Sequence, residues 1–492
     1  MRLVEKHIAS AALIYLDSSP GVSWSASSSG STAFAGCHLQ RGLMLRDEKP
    51  PIQLKNVLSE QLCCHACWNE ATCHHATYDS ENGECFLGTG NMFKEFKVAN
   101  HTTCRPKRTH QSTPIVINAS VPGDLLTDLH SAGIIGDPLY ELNFRNDSLW
   151  SFPNWTYATS ISLPDMASDV LRDGGVLTLV FEGIKMGASI SFNGHLLGTA
   201  VDQFLRYEFD VTAYVKNGEQ KILVEFDPSI PVDGRFMACS GGWDWAPYSH
   251  KFNQGARTFS KGIWKSVYLT VTPRNAAQIL HVVPRIHYSG EYPMTRLVDN
   301  EHAGFKIDVR IFMRTPMKTA GILTVAPEWG RVMAMNVSLP QGESQVNVSL
   351  QAASADVRLW WPVGLGQQHL YYLNVSFMPA DLQFSSMYST LVHNSRSLVS
   401  TSRRLGFRYF SLVTGNETDP DWLREATGRD GSGEHGLYFK VNGVPLYSRG
   451  ANLIPMDELE GRINDAAYTR LVKSAVQGNF NTIRVWGGDF RS

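Results

Sequence analysis

Seven of the eight cysteines in this 492-residue chain lie between Cys37 and Cys104, and only Cys239 stands apart. Thiols this crowded serve either a disulfide framework in an oxidising compartment or a metal site in a reducing one. His65, His74 and His75 are interspersed among them, which keeps zinc in view. The spacing yields no clean pair of CxxC or HxxxH arms, however, and so favours disulfides. A segment this short has a thin core, so bridges would be its main stabiliser.

Glycosylation sequons point to the same compartment. Asn-X-Ser/Thr occurs at Asn100, Asn118, Asn146, Asn154, Asn336, Asn347, Asn374 and Asn416, which favours a secretory route, lysosomal or extracellular. The amino terminus adds less. Arg2 and Lys6 precede a short apolar stretch, Ile8 to Leu16, and then a Ser/Gly-rich segment, Ser18 to Ser31. This reads as a weak signal peptide or an untidy leader over residues 1–36.

The length implies three or four domains. Hydrophobic residues make up 43%, enough to build cores. The charge of −2, from 44 Lys+Arg against 46 Asp+Glu, gives no electrostatic case for nucleic acid or an acidic membrane. No apolar run approaches the roughly 20 residues that span a bilayer.

From Ser112 to Thr272 the chain reads as short strands and turns. Val176–Phe181 is a buried-strand run, and Lys221–Phe226 suits a sandwich strand. Asn193-Gly194 suits the positive φ angles of a type I′ hairpin. No helix of convincing period appears, which predicts an antiparallel sandwich. Within it, Gly241-Gly242-Trp243-Asp244-Trp245-Ala246-Pro247 sets two indoles around a carboxylate. That is a sugar site, with C–H faces stacking on a ring and Asp244 accepting hydroxyl hydrogen bonds, or else two core tryptophans beside a turn cap. From Asn275 to Thr414 a second, Ig-like sandwich is predicted, with Trp360 and Trp361 in its core.

Near Leu437 the pattern changes. Another Asn-Gly turn, Asn442-Gly443, opens the segment. Asn464 can cap a helix over Asp465–Gln477. Its apolar stripe is Tyr468, Leu471, Val472, Ala475 and Val476, and Gly478 is the expected stop. A strand over Asn481–Trp486 follows, so residues 430–492 read as a βαβ unit, the start of a TIM barrel. Arg484 and Trp486 share the face that would line a barrel interior, where a buried arginine needs an anion.

Two resemblances follow. Cys63, Cys67, Cys73, Tyr78, Cys85 and Leu87 resemble the pattern of the apple/PAN module over residues 37–104. That resemblance implies nested bridges Cys37–Cys104, Cys63–Cys85 and Cys67–Cys73, leaves Cys64 extra, and implies a binding module for protein or carbohydrate. The remainder resembles glycoside hydrolase family 2, its β-mannosidase branch. The carrying segments are Val121-Pro122-Gly123, Phe181-Glu182-Gly183, Trp243–Pro247, Gly262-Ile263-Trp264-Lys265, Trp360-Trp361-Pro362, Gly450–Asp457 and Arg484–Gly488. The implied order is a galactose-binding-like jelly roll over 112–272, an Ig-like sandwich over 275–414 and a barrel from 430.

The family implies exo-hydrolysis of terminal β-mannose with retention by two glutamates, roughly 5 Å apart. Neither a cofactor nor a metal is implied. By resemblance Trp243 and Asp244 reach over the barrel mouth, and Arg484 and Trp486 form part of the subsite wall. The family's glutamates follow the fourth and seventh barrel strands. Asp457, Glu458, Glu460, Asp465 and Asp489 match neither, so this chain is expected to be inactive by itself. Leu453 and the tail after Gly488 depart from the family pattern, and the apple module is not part of its usual architecture. The alternatives are a non-catalytic carbohydrate-binding protein, a fragment of an incomplete gene model, and another family 2 exo-glycosidase.

Overall fold

The architecture is mainly β. A computed structural model describes residues 12–16, 22–28, 34–47, 52–55, 57, 59–69, 73–88, 93–108, 115–140, 143, 154–185, 187–227, 261–380, 399–414, 437–453, 457 and 459–485.

The first two strands correct the reading of residues 1–36 as a leader. Strand β1 (Ala12–Tyr15) pairs antiparallel with a strand more than 250 residues later, Ala12 opposite Val271. Strand β2 (Trp24–Ser28) is sandwich core, with Trp24 and Ala26 buried. The Trp24 indole donates to the Leu16 carbonyl at 2.6 Å. The period of two in Trp24-Ser-Ala-Ser-Ser is masked by its serines, which read as loop composition.

The cysteine module follows: β3 (Phe34–Asp47), β4 (Ile52–Leu54), α1 (Glu60–Asn69), β5 (His75–Asp79), β6 (Glu84–Gly88) and β7 (Phe93–Arg108). Its sheet runs β3-β7-β5-β6-β4, all antiparallel, with α1 packed across it. Six of the ten buried residues in its core are cysteines. Cys63–Cys85 and Cys67–Cys73 are bridged, with Cα separations of 5.4 and 5.1 Å.

The third expected bridge, Cys37–Cys104, is corrected. Cys104 is a free, buried thiol, while Cys64 is disulfide-bonded to a partner outside the described side chains. Register supplies the reason. Leu39 lies opposite Cys104, and Cys37 lies opposite Pro106. Such a diagonal offset spans roughly 7–8 Å, beyond the roughly 5.5–6 Å usual for bridged Cα atoms.

The jelly-roll sandwich resumes with β8 (Val116–Ala119), α2 (Leu125–Ser131), β9 (Trp155–Ser162), α3 (Asp165–Arg172), β10 (Val176–Phe181), β11 (Ala188–Phe192), β12 (His195–Ala200), β13 (Tyr207–Asp210), β14 (Glu219–Phe226) and β15 (Val267–Thr272). Its two sheets run β1-β15-β10-β13 and β12-β11-β14-β9-β2-β8. Because β2 pairs directly with β8, Trp24 opposite Ala119, the whole cysteine module is inserted into one hairpin connection of this sandwich. The core includes Trp155, Tyr157, Phe181, Phe192 and Phe226. Two short helices correct the helix-free reading. Each has about two turns, too few for a 3.6 period to show, and α2 starts where Asp124 accepts from Thr127 N at 2.9 Å.

The Ig-like sandwich comprises β16 (Gln278–Tyr288), β17 (Phe305–Thr315), β18 (Thr319–Pro327), β19 (Met333–Leu339), β20 (Gly342–Ala352), β21 (Tyr371–Pro379) and β22 (Val399–Leu405). Its sheets run β16-β17-β20 and β19-β18-β21-β22. Trp361 is buried, but Trp360 is only half-buried, its ring covered by the Arg408 guanidinium at 4.2 Å.

Strands β23 (Phe410–Val413), β24 (Tyr438–Val441) and β25 (Val444–Leu446) form a small antiparallel sheet. Its turn carries Asn442 and Gly443 at φ 48° and 79°, as a type I′ turn requires. Then β26 (Gly450–Leu453), α4 (Asp465–Gln477) and β27 (Thr482–Val485) make the βαβ unit, with β26 and β27 parallel. Asn464 caps α4, accepting from Ala467 N at 3.0 Å. The left-handed residue ending α4 is Asn479 at φ 59°, while Gly478 stays at φ −72°.

Candidate functional site

Of the four residues read as sugar-binding, Trp243, Asp244 and Trp486 lie outside the described residues. Arg484 sits on β27 and is exposed, its Nη1 donating to Asn452 Oδ1 at 2.9 Å. The buried anion expected opposite it is replaced by this neutral amide, which lies in register on β26.

Residues 228–260, which carry Trp243 and Asp244, connect β14 to β15, and the two ends of that connection are fixed. Asp227 N donates to the Gly187 carbonyl at 2.8 Å. On return, the carbonyls of Lys261 and Ile263 accept from Leu125 N and Gly123 N at 2.7 and 2.9 Å. The carbonyl of Gly262 accepts from Lys185 N at 3.0 Å. Three sequence motifs far apart in the chain therefore meet here: Val121-Pro122-Gly123, Phe181-Glu182-Gly183 and Gly262-Ile263-Trp264-Lys265. Gly262 adopts φ +146°, and a Cβ there would lie 2.7 Å from the Gly123 carbonyl oxygen, so only glycine closes this junction. Trp264 is fixed by its indole N–H to the Gln203 carbonyl at 3.0 Å, with the Lys265 ammonium 4.5 Å from its ring centroid.

The same end of the sandwich holds the loop that follows β26. A 3-10 turn over Glu460–Arg462 docks on it through polar contacts. The Lys185 ammonium and the Glu460 carboxylate form an ion pair, both side chains buried. Gly461 N donates to Asp124 Oδ2 at 2.7 Å, and Arg462 donates to Asp137 Oδ1 at 2.7 Å. Asp124 thus serves two tasks, capping α2 and holding the turn. In parallel α/β architecture the loop after a strand's carboxyl end is where active sites are built. Asp124, Lys185, Asp227 and Lys261 therefore connect the stem of residues 228–260 to that end of the βαβ unit.

Electrostatics at this junction follow burial. Burial pushes the Asp128 carboxyl up to about 6, although it accepts hydrogen bonds from Ser120 N and the Tyr157 hydroxyl. Burial pushes the Lys261 ammonium down to about 7, with Asp227 opposing. Burial raises the Glu460 carboxyl, with Lys185 opposing. At Asp137, burial is the largest single influence and acts upward, but hydrogen bonds from Arg462 and Leu139 N together with the charges of Arg462 and His130 outweigh it, and the carboxyl lies below its ordinary value. Sequence reading missed this junction. Lys185 and Lys261 carry no periodic signal, and their burial follows only from contacts between distant segments.

Among the described residues, no group of three or more His, Cys, Asp or Glu side chains could hold a metal ion. No helix among them is long and apolar enough to cross a membrane.

Residues 37–110 match the PAN domain family, and residues 95–265 match the family described as "glycosyl hydrolase 2 galactose-binding domain-like". The chain carries a PAN domain and a glycosyl hydrolase 2 amino-terminal domain. Curated β-mannosidases resemble about three quarters of it. That of Rattus norvegicus is 26% identical over 411 residues, covering 77% of this chain and 41% of the relative. β-Mannosidase A of Emericella nidulans is 27% identical over 407 residues, covering 75% and 39%. The chain thus spans about 40% of the length of these relatives. Among solved structures, β-D-mannosidase from Dictyoglomus thermophilum matches with a TM-score of 0.59 at 24% identity, covering 77% of this chain and 43% of its own. Exo-chitosanase CsxA from Amycolatopsis orientalis matches with a TM-score of 0.54 at 20% identity, covering 76% and 38%. These two likenesses concern the fold.

Proposed function

We propose that these 492 residues are the sugar-engaging part of a β-mannosidase-like glycoside hydrolase, directed to terminal β-mannose of oligosaccharides or glycoprotein glycans. The observation that carries this reading is the junction. The stem of residues 228–260 and the first loop after a parallel strand are fixed to one another through Asp124, Lys185 and Gly262. Such a junction lets Trp243 and Asp244 act at the mouth of a parallel barrel, the indole stacking on a sugar face and the carboxylate accepting its hydroxyls. Arg484 and Trp486 would contribute to the wall of the same subsite. The PAN domain would add a separate ligand, protein or glycan. Its disulfides, together with the eight sequons, support secretory routing, lysosomal or extracellular.

Hydrolysis with retention needs two carboxyl groups roughly 5 Å apart. Near the junction, Glu460 is committed to Lys185, and Asp457 accepts from Leu459 N at 3.0 Å. Asp465 occupies the first turn of α4. The engagement of these three carboxylates supports the reading that these 492 residues alone bind without cleaving. The test pairs saturation-transfer NMR with an aryl-glycoside assay on the purified chain. The expected result is transfer to methyl β-mannoside in preference to methyl β-galactoside, with no p-nitrophenol released. Steady release of p-nitrophenol would overturn the non-catalytic half of the proposal, and absence of any transfer would overturn the sugar-binding half.

A further inference from the structure

A sandwich has open sheet edges, and each edge strand presents unpaired N–H and C=O groups to any other strand that approaches. Proteins blunt such edges with charges, prolines or bulges. Several edges here are blunted in that way. Strand β13 carries Glu208 and Asp210, and β22 carries Arg403 and Arg404. Strand β16 carries Pro284, Arg285 and a register shift, and β12 pairs through a register shift at Ile190/Ser191.

Other described edges lack these devices: β1, β4 and β23, which carry no sequon, and β8, β19 and, past Glu343, β20, which do. Strand β8, Val116-Ile-Asn-Ala119, ends the six-stranded sheet with neither charge, proline nor register shift, and its Val116 is 66% exposed. Strand β19, Met333-Ala-Met-Asn-Val-Ser-Leu339, ends a sheet of the Ig-like sandwich with none of the three. Strand β20 ends the partner sheet and is uncharged from Ser344 to Ala352. Uncharged segments of about five to seven residues with high β-propensity, as in β19 and β20, are the ones that associate edge to edge. Each of β8, β19 and β20 carries a sequon with an exposed asparagine: Asn118, Asn336 and Asn347.

Strands β19 and β20 are consecutive, joined through Pro340 and Gln341, so their two open edges share one border of the Ig-like sandwich. The opposite border is closed by β16 against β22, where Arg403 Nε donates to the Val282 carbonyl at 3.3 Å. Asn347 is exposed. Its Oδ1 accepts from Gln345 Nε2 at 2.6 Å.

We propose that N-glycans on Asn336 and Asn347, with a third on Asn118, guard the open edges of β19, β20 and β8. The chemistry is group transfer from a lipid-diphosphate-linked oligosaccharide. Asn Nδ2 attacks the anomeric carbon, the N–C bond forms as the sugar–phosphate C–O bond breaks, and the lipid diphosphate leaves with the amide proton. A second strand must come within about 4.8 Å to pair, and a hydrated oligosaccharide on the outer face of a narrow edge strand excludes that approach. Sequons away from edges serve as internal controls. Asn374 lies on β21, flanked by β18 and β22, where no edge needs guarding.

The test uses the full chain secreted from eukaryotic cells. Glycopeptide mass spectrometry should find Asn118, Asn336 and Asn347 occupied. The double variant Ser338→Ala/Ser349→Ala, which keeps both asparagines but destroys their sequons, should aggregate several-fold faster by light scattering at unchanged near-UV circular dichroism. Ser376→Ala, which removes only the Asn374 sequon, should match wild type. Asn336→Lys/Asn347→Lys, without either glycan but with charged edges, should be secreted and stay monomeric, and this variant decides the matter if the first double variant is not secreted. Unoccupied Asn336 and Asn347, an unchanged aggregation rate on loss of their sequons, or failure of the lysines to protect would each overturn the proposal.

Discussion

Asp128 is buried against Tyr157 beneath the junction, and its carboxyl is lifted to about 6 from an ordinary 3.8. The native chain therefore holds this proton more tightly than the unfolded chain does. Between about pH 4 and 6 the native state binds more protons, so the residue's contribution to stability grows as pH falls through that window. Asp128→Asn removes the titration. The stability difference between wild type and Asp128→Asn should move in favour of wild type by about 1 kcal/mol between pH 7 and pH 5. Parallel melting curves across that range would show that the carboxyl titrates normally. Cys104 offers a second prediction. Its thiol is buried and raised well above the usual range, first by burial and then by the charge of Glu60, so it is inert in the native fold. Alkylation in denaturant without reductant should label Cys104 and leave Cys64 unlabelled. The reverse labelling would restore the pairing that the apple/PAN resemblance implies.

The βαβ unit leaves much of its apolar surface exposed: Leu471, Val472 and Val476 on α4, and Ile483 and Val485 on β27. Its described ties to the jelly roll are Leu459, buried in that sandwich's core, and the polar contacts Lys185–Glu460, Asp124–Gly461 and Arg462–Asp137. Removing one partner of a buried ion pair costs about 3–5 kcal/mol because the other charge stays desolvated. Lys185→Met should therefore release hydrogen-exchange protection in α4 while that of the Ig-like strands is unchanged. Unchanged protection in α4 would mean the ion pair does not hold the unit. These elements also show what a sequence can reveal. The Asn-Gly turns at Asn193 and Asn442, the Asn464 cap and the βαβ order are local and legible. Strand β2 was hidden by its serines and by a partner, β9, more than a hundred residues away. The third bridge was misassigned because cysteine spacing does not encode strand register. At the candidate site, the Trp243-Asp244 motif was legible as chemistry, whereas the Lys185–Glu460 pair depends on contacts 275 residues apart.

Taken together, the chain is a jelly roll with a PAN domain inserted into one of its hairpins, an Ig-like sandwich, and a βαβ unit fastened back onto the jelly roll. Insertion at β2–β8 preserves the sandwich because the module's own first and last strands pair, Phe34 opposite Arg108, so it enters and leaves at one place. The junction lies on segments 121–125, 183–185 and 261–263 and on Gly187, which frame the two ends of residues 228–260. Sugar recognition by that segment is what the proposed function rests on, and titration calorimetry of the purified chain with methyl β-mannoside tests it. The account predicts saturable binding that is abolished in Trp243→Ala and weakened at least tenfold in Asp244→Asn, both variants melting as wild type does. Binding that survives Trp243→Ala undiminished would contradict it.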